Sequence, residues 1–163
     1  MAYIEQLVDG FVAGRLTRRE LIASVTALVA GASRGQAQTS SVAKGRTLNH
    51  VSLAVSDVEK SAAFYRKALD LQIVSRPGNG GINLGLGTSF LGVYKLANPG
   101  TVNHCCIGVD DYDPERIAAK LQDQGVRATI DRNPANRTSG GDQLYFVDPD
   151  GLRVQLSANG YQG

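Results

Sequence analysis

Hydrophobic residues recur along this chain at two different periods. Near the start, Ile4, Leu7, Val8, Phe11 and Val12 are spaced as on one side of a helix, which predicts a helix over 3–13 ended by Gly14. From residue 48 the pattern changes to strict alternation, broken by two helical stretches. The first alternating run, Leu48 to Val55, leads into a helix pattern from Val58 to Leu69 with Ala62, Phe64, Tyr65 and Leu69 apolar. Strands are then expected at Leu71–Ser75, Ile82–Leu86 and Phe90–Leu96. The second alternating run, Val102 to Val109, leads into a helix from Pro114 to Gln124 with Ile117, Ala118 and Leu121 on one side. Strands follow at Val126–Asp131, Gln143–Val147 and Leu152–Ser157, the last two joined by the turn Asp148-Pro149-Asp150-Gly151. Each half therefore reads β-α-β-β-β, an α+β architecture.

The two halves are a repeat. Leu48-Asn49-His50-Val51-Ser52-Leu53-Ala54-Val55-Ser56-Asp57 aligns with Val102-Asn103-His104-Cys105-Cys106-Ile107-Gly108-Val109-Asp110-Asp111 at an offset of 54, with Asn, His, Val and Asp in common. A repeat occurring only twice indicates a duplicated half-domain and not a solenoid. Alternation assigns the faces of each sheet. Val51, Leu53 and Val55, and Cys105, Ile107 and Val109, should meet the helices. Leu91, Val93, Leu152, Val154 and Leu156 should join them. The opposite face collects His50, His104, Asn83, Gly85, Phe90, Gly92, Tyr94, Cys106, Gln143, Tyr145, Arg153 and Gln155. A concave wall of mixed aromatic and polar groups is a place for a small ligand. The loop 132–141 could act as a lid supplying Arg132 or Arg137.

Residues 1–45 stand apart as a helical extension with a linker over 33–45. Thr17-Arg18-Arg19 before an apolar run of about 12 residues resembles a twin-arginine export signal, with a cleavage site after Ala37. The same residues also read as a second helix: Thr17 and Glu20 form a capping box, and Leu21, Val25 and Leu28 form its stripe. Glu5 and Asp9 upstream weigh against export, so the location stays open between cytoplasmic and exported. The repeat fills 46–158, with modules 46–98 and 99–158, and 159–163 is a tail.

Composition narrows the partners. Lys plus Arg is 17 and Asp plus Glu 15, a net charge of +2, which gives no reason to expect nucleic acid or a membrane surface. The two cysteines, Cys105 and Cys106, are adjacent and on opposite faces of a strand, so neither a disulfide nor a C-x-x-C centre is expected. Six of the 19 glycines lie between Gly78 and Gly92. Gly85, Gly92 and Gly108 face the cavity by alternation and should leave room for a bulky ligand.

The stretches LNHVSLAVSDVEKSAAFYRKALDL, VNHCCIGVDD and LYFVDPDGLRVQL resemble the vicinal oxygen chelate superfamily, which includes glyoxalases, extradiol dioxygenases, fosfomycin-resistance enzymes and bleomycin-binding proteins. The resemblance implies paired modules forming a cupped mixed sheet, often completed in a homodimer. It implies a divalent metal (Fe, Mn, Ni or Zn) held from the first and last strands of the modules, which here means His50, Gly92, His104 and Gln155. Gly92 offers no ligand, and Gln155 stands where many members carry glutamate. A His-His-Gln set is neutral and binds a cation more weakly than a set with a carboxylate. No carboxylate base falls on the assigned rows, which argues against glyoxalase I activity. The expected function is a metal-dependent small-molecule enzyme with dioxygenase-like or isomerase/lyase chemistry. The alternative is a metal-free protein sequestering a small molecule, of the bleomycin-resistance type. No residue is assigned a catalytic role.

Overall fold

The computed structural model describes residues 2–24 and 41–163, which fall in two units, Met1–Ser40 and Ser41–Gly163. In the first unit, helix α1 spans Ala2–Val12. A second helical stretch begins at residue 18, and its capping box is formed. The Thr17 backbone N–H donates to Glu20 Oε2 at 2.8 Å, and the Glu20 N–H donates back to Thr17 Oγ1 at 3.3 Å. Val25, Leu28 and the proposed cleavage site after Ala37 lie outside the described residues. Among the described residues no helix is long and apolar enough to cross a membrane.

The second unit holds one eight-stranded mixed sheet. Its elements are β1 (Gly45–Val55), α2 (Val58–Leu69), β2 (Ile73–Ser75), β3 (Ile82–Leu86), β4 (Ser89–Lys95), β5 (Thr101–Val109), α3 (Pro114–Asp123), β6 (Thr129–Asp131), β7 (Gln143–Val147) and β8 (Arg153–Ala158). The strand order is β2-β3-β4-β1-β5-β8-β7-β6. Each module thus lays its strands in the same order outward from the centre. Within a module the first and last strands run parallel, and β1 meets β5 antiparallel. The two modules pair within one chain.

The helices are started by aspartates. The Asp57 side chain accepts from Lys60 N–H at 3.0 Å, and that of Asp113 accepts from Arg116 N–H at 3.0 Å. The residue aligned with Asp57 in the repeat is Asp111, yet the cap sits two residues later, with Pro114 in the first turn where its missing N–H costs nothing. Each helix covers its own module's outer face. Ala62, Leu71, Ile82, Leu84 and Val93 form one buried cluster, joined by Leu53, Val55 and Leu91. Val109, Ile117, Leu121, Leu144 and Leu156 form the other, joined by Ile107 and Val154. Leu152 departs from the expected core row. It precedes β8 and is 66% exposed, because the strand begins only at Arg153.

The glycines expected to leave open space do not. A Cβ on Gly92 would lie 2.5 Å from Tyr94 Cε2 and 3.1 Å from both Asn83 Oδ1 and Ser52 Oγ. The space over Gly85 is taken by Val74, and that over Gly108 by Thr47 and Asn159. Close packing by neighbouring side chains, and not cavity volume, accounts for the missing side chains there.

Candidate functional site

β1 and β5 lie side by side at the middle of the sheet, and each brings one histidine to the concave face. In both strands the preceding asparagine holds the ring. Asn49 Oδ1 lies 2.9 Å from His50 Nδ1, and Asn103 Oδ1 lies 2.8 Å from His104 Nδ1. Other partners fix which way each amide faces. Asn49 Nδ2 donates to the Tyr161 carbonyl at 2.9 Å. Arg153, which can only donate, directs Nη1 to Asn103 Oδ1 at 3.3 Å. Both imidazoles therefore carry their proton on Nδ1, leaving Nε2 as an acceptor.

The two Nε2 atoms face each other at 3.1 Å. Two lone pairs at this distance repel unless a proton or a cation lies against them. Burial disfavours the proton. It pulls His50 down to about 3, helped by the charge of His104, and His104 down to about 4, helped by Arg153. Neutral imidazoles with inward Nε2 atoms are the form in which histidine binds a metal. The spacing also fits. Ligand atoms on adjacent corners of an octahedron with bonds of about 2.1 Å lie about 3.0 Å apart.

Gln155 lies on β8, paired with Cys106 on one side and Tyr145 on the other. It is 1% exposed and its Nε2 has no hydrogen-bond partner; Ser52 Oγ is the other such buried side-chain atom among the described residues. Both residues line the central cavity, so both are donors that a bound group could satisfy. Among the described residues no three His, Cys, Asp or Glu side chains gather closely enough to hold a metal. A third protein ligand beside the two imidazoles would be the Gln155 amide oxygen.

The cavity has a volume of about 140 Å³. Phe90 stacks on His50 with ring centroids 4.2 Å apart, and Tyr145 meets His104 edge-on at 5.4 Å. Arg153 lies 3.9 Å over the Tyr145 ring. Tyr94 lines the opposite wall, with its hydroxyl donating to Asn83 Oδ1 at 2.7 Å and burial pushing its pKa up to about 12. These residues converge on the cavity with His50, His104 and Gln155. Asn83, Gly92 and Cys106 are not in its lining. Asn83 is fully buried and bound to Tyr94 and to Ser75 Oγ, and Gly92 is covered by the Tyr94 ring. Cys106 faces inward by alternation but is sealed beneath the surface, donating to Ser157 Oγ at 3.2 Å, and burial raises its pKa to about 12. It is no nucleophile.

The two loop arginines do not reach into the cup. Arg132 binds Asp142 at 2.8 Å and Glu115, and Arg137 binds Asp142 at 2.7 Å. One carboxylate that the face assignment missed, Asp131 on β6, does line the cavity. Its oxygens accept from Asn133 N–H at 2.8 Å and Asn136 Nδ2 at 2.6 Å. It stands three strands from His104 along the curved sheet. Tyr161 and Gly163, from the tail, also line the cavity. No periodicity marks a five-residue tail; a lone aromatic among small polar residues was its one signal.

A cup built from two β-α-β-β-β modules, with one asparagine-held histidine per module at its centre, defines a vicinal oxygen chelate domain. Comparison with known proteins agrees. The model of the Glyoxalase/Bleomycin resistance protein/Dioxygenase superfamily matches residues 47–156, and the chain belongs to that superfamily. A glutathione transferase FosA from Serratia marcescens is 31% identical over 118 residues, covering 68% of this chain and 79% of that protein. The 2,3-dioxygenase LapB from Pseudomonas sp. KL28 matches with a TM-score of 0.61 at 21% identity, over 72% of this chain and 42% of that one. Methylmalonyl-CoA epimerase from Mycobacterium tuberculosis matches with a TM-score of 0.52 at 19% identity, over 73% and 90%. The chain spans less than half of the dioxygenase, and the two solved structures share its fold.

Proposed function

We propose that this protein is a small-molecule enzyme that holds a divalent metal on His50, His104 and Gln155 and acts on an oxygen-rich substrate. One observation carries the reading: two buried, neutral imidazoles with their Nδ1 atoms held by asparagines and their Nε2 atoms 3.1 Å apart. An Fe, Mn, Ni or Zn ion held by His50, His104 and Gln155 would supply Lewis acidity to substrate oxygen. The chain's own residues do the rest. Asn49 and Asn103 fix the rings, and Phe90, Tyr94 and Tyr145 wall the substrate. Arg153 offers a cation to an anionic substrate group. The donor set is neutral, so the ion's full charge favours a substrate that chelates as an anion. The proposed ligand set contains no carboxylate, and the one in the lining, Asp131, stands three strands away, which sets this site apart from glyoxalase chemistry with a carboxylate base at the metal. The relatives named above are a transferase, a dioxygenase and an epimerase, so the fold alone does not choose the reaction.

Metal analysis of the untagged chain after incubation with Fe(II), Mn(II), Ni(II) or Zn(II) tests the reading. Near-stoichiometric uptake that is lost in both His50→Ala and His104→Ala supports it. A chain that takes up none of the four ions rejects it. The neutral donor set would then favour the second reading, a metal-free protein that sequesters a small molecule between the aromatic walls.

A further inference from the structure

The structure assigns a role to Tyr161 that the metal reading above does not use: we infer that it sets the size of ligand the cup admits and helps orient His50. This inference rests on that metal reading.

The tail does not trail into solvent. Tyr161 is 3% exposed, with its ring centroid 5.9 Å from that of His50 and 6.2 Å from that of Phe90. The segment is tied to both modules. In the first, Asn49 Nδ2 donates to the Tyr161 carbonyl and Ser75 Oγ donates to the Gln162 carbonyl at 2.7 Å. In the second, Gln143 Nε2 donates to the Tyr161 hydroxyl, and Thr138 donates to the Gly163 carbonyl from its N–H, at 2.5 Å, and from its hydroxyl. The 132–141 loop is shaped around the ring. Gly140 has φ +78°, and a Cβ there would lie 2.1 Å from Tyr161 Cδ2.

Two consequences follow from this seat. With Tyr161 in place the cavity is about 140 Å³, well below the roughly 300–1,000 Å³ of sites for larger ligands. A bulky chelator that reaches past His50 toward Phe90 would meet the Tyr161 ring. The segment joins no strand, and its displacement would break its hydrogen bonds to Asn49, Ser75, Thr138 and Gln143 and expose the Tyr161 ring. The second consequence runs through Asn49. One end of its amide holds the Tyr161 carbonyl and the other holds His50 Nδ1, so the seated tail fixes the amide that fixes the ring. Tyr161 is thus a positioning and size-selecting residue.

The test uses the full chain loaded with Co(II) and two probes with the same chelating oxygens, acetohydroxamate and benzohydroxamate. Dissociation constants are read from the Co(II) absorption bands. Tyr161→Ala should shift the ratio of the two constants toward benzohydroxamate by about tenfold or more, the scale on which a pocket discriminates by size. Tyr161→Phe should keep the ratio of the unmodified chain. An unmoved ratio in Tyr161→Ala, or equal shifts for both probes, overturns the role of Tyr161. If Tyr161→Ala does not fold, Tyr161→Trp serves instead, since the chain has no tryptophan and the indole is the single one. Its emission should be that of a buried indole and shift to the red with benzohydroxamate but not with acetohydroxamate. An unchanged emission at saturating benzohydroxamate overturns the inference. Absence of Co(II) uptake by the unmodified chain is a different failure, and overturns the metal reading together with what rests on it.

Discussion

Acidification from pH 7 to pH 5 should destabilise the metal-free chain through its two histidines. The sequence contains only His50 and His104, and they are 4% and 9% exposed. Burial holds them near 3 and 4, against about 6.5 in an unfolded chain. The unfolded state therefore binds more protons throughout this interval. Stability is full above the unfolded value of about 6.5 and falls as the pH drops from there toward the folded values. Each unit of pH costs about 1.4 kcal/mol per histidine, so the 1.5 units between 6.5 and 5 cost about 2 kcal/mol each and about 4 kcal/mol together. This is an upper value, because the cup is open on one side. It is still a large part of the roughly 5–15 kcal/mol that holds a domain folded. Glu20 and Glu59, held below their usual 4.5 by bonds to Thr17 and Arg76, lose their contribution mainly below this window. The assay is urea unfolding followed by circular dichroism, with chelator present, at both pH values. His50→Gln and His104→Gln should each remove about half of the pH dependence. A loss under about 1 kcal/mol, or an unaltered slope in both variants, would refute the neutral imidazole pair on which the metal reading depends.

Three further outcomes follow from the same geometry. Asn103→Ala removes the acceptor for His104 Nδ1 and should weaken Zn(II) binding by about 10–100-fold in a competition titration with a chelating dye. Gln155→Glu adds a negative charge to a neutral donor set and should tighten Zn(II) binding in the same titration; an unchanged affinity would remove Gln155 from the ligands. Gly92→Ala forces a methyl group against Tyr94 and should lower the stability by about 1–3 kcal/mol in urea unfolding, with stoichiometric metal uptake retained.

How much of this was legible before the structure depends on the range of the interaction concerned. The strands Ile82–Leu86 and Gln143–Val147 and the helix Val58–Leu69 fall where the periodicity puts them, because each is fixed by its own residues and by one packed face. The histidine pair was legible for a different reason. Duplication places His50 and His104 at equivalent points of two modules, and antiparallel pairing of β1 with β5 then has to bring those points together. Alternation, however, gives the direction of a side chain and not what stands in front of it. Cys106 points inward and is sealed by Ser157, and Gly92 points inward and is covered by a tyrosine two residues away.

The tail shows the same limit most clearly. Tyr161 meets Asn49 across a sequence separation of 112, and no local pattern encodes a contact of that length. Yet its effect on the site is direct. Tyr161 and Gly163 line the cavity, while the glycines that suggested a roomy cup are packed against their neighbours. Tyr161, beside His50 and Phe90, is therefore a wall of the cavity that the pattern of the sheet does not reveal. If Tyr161 selects ligands by size, substitutions in the tail should change which ligands bind without altering the fold that carries the histidines.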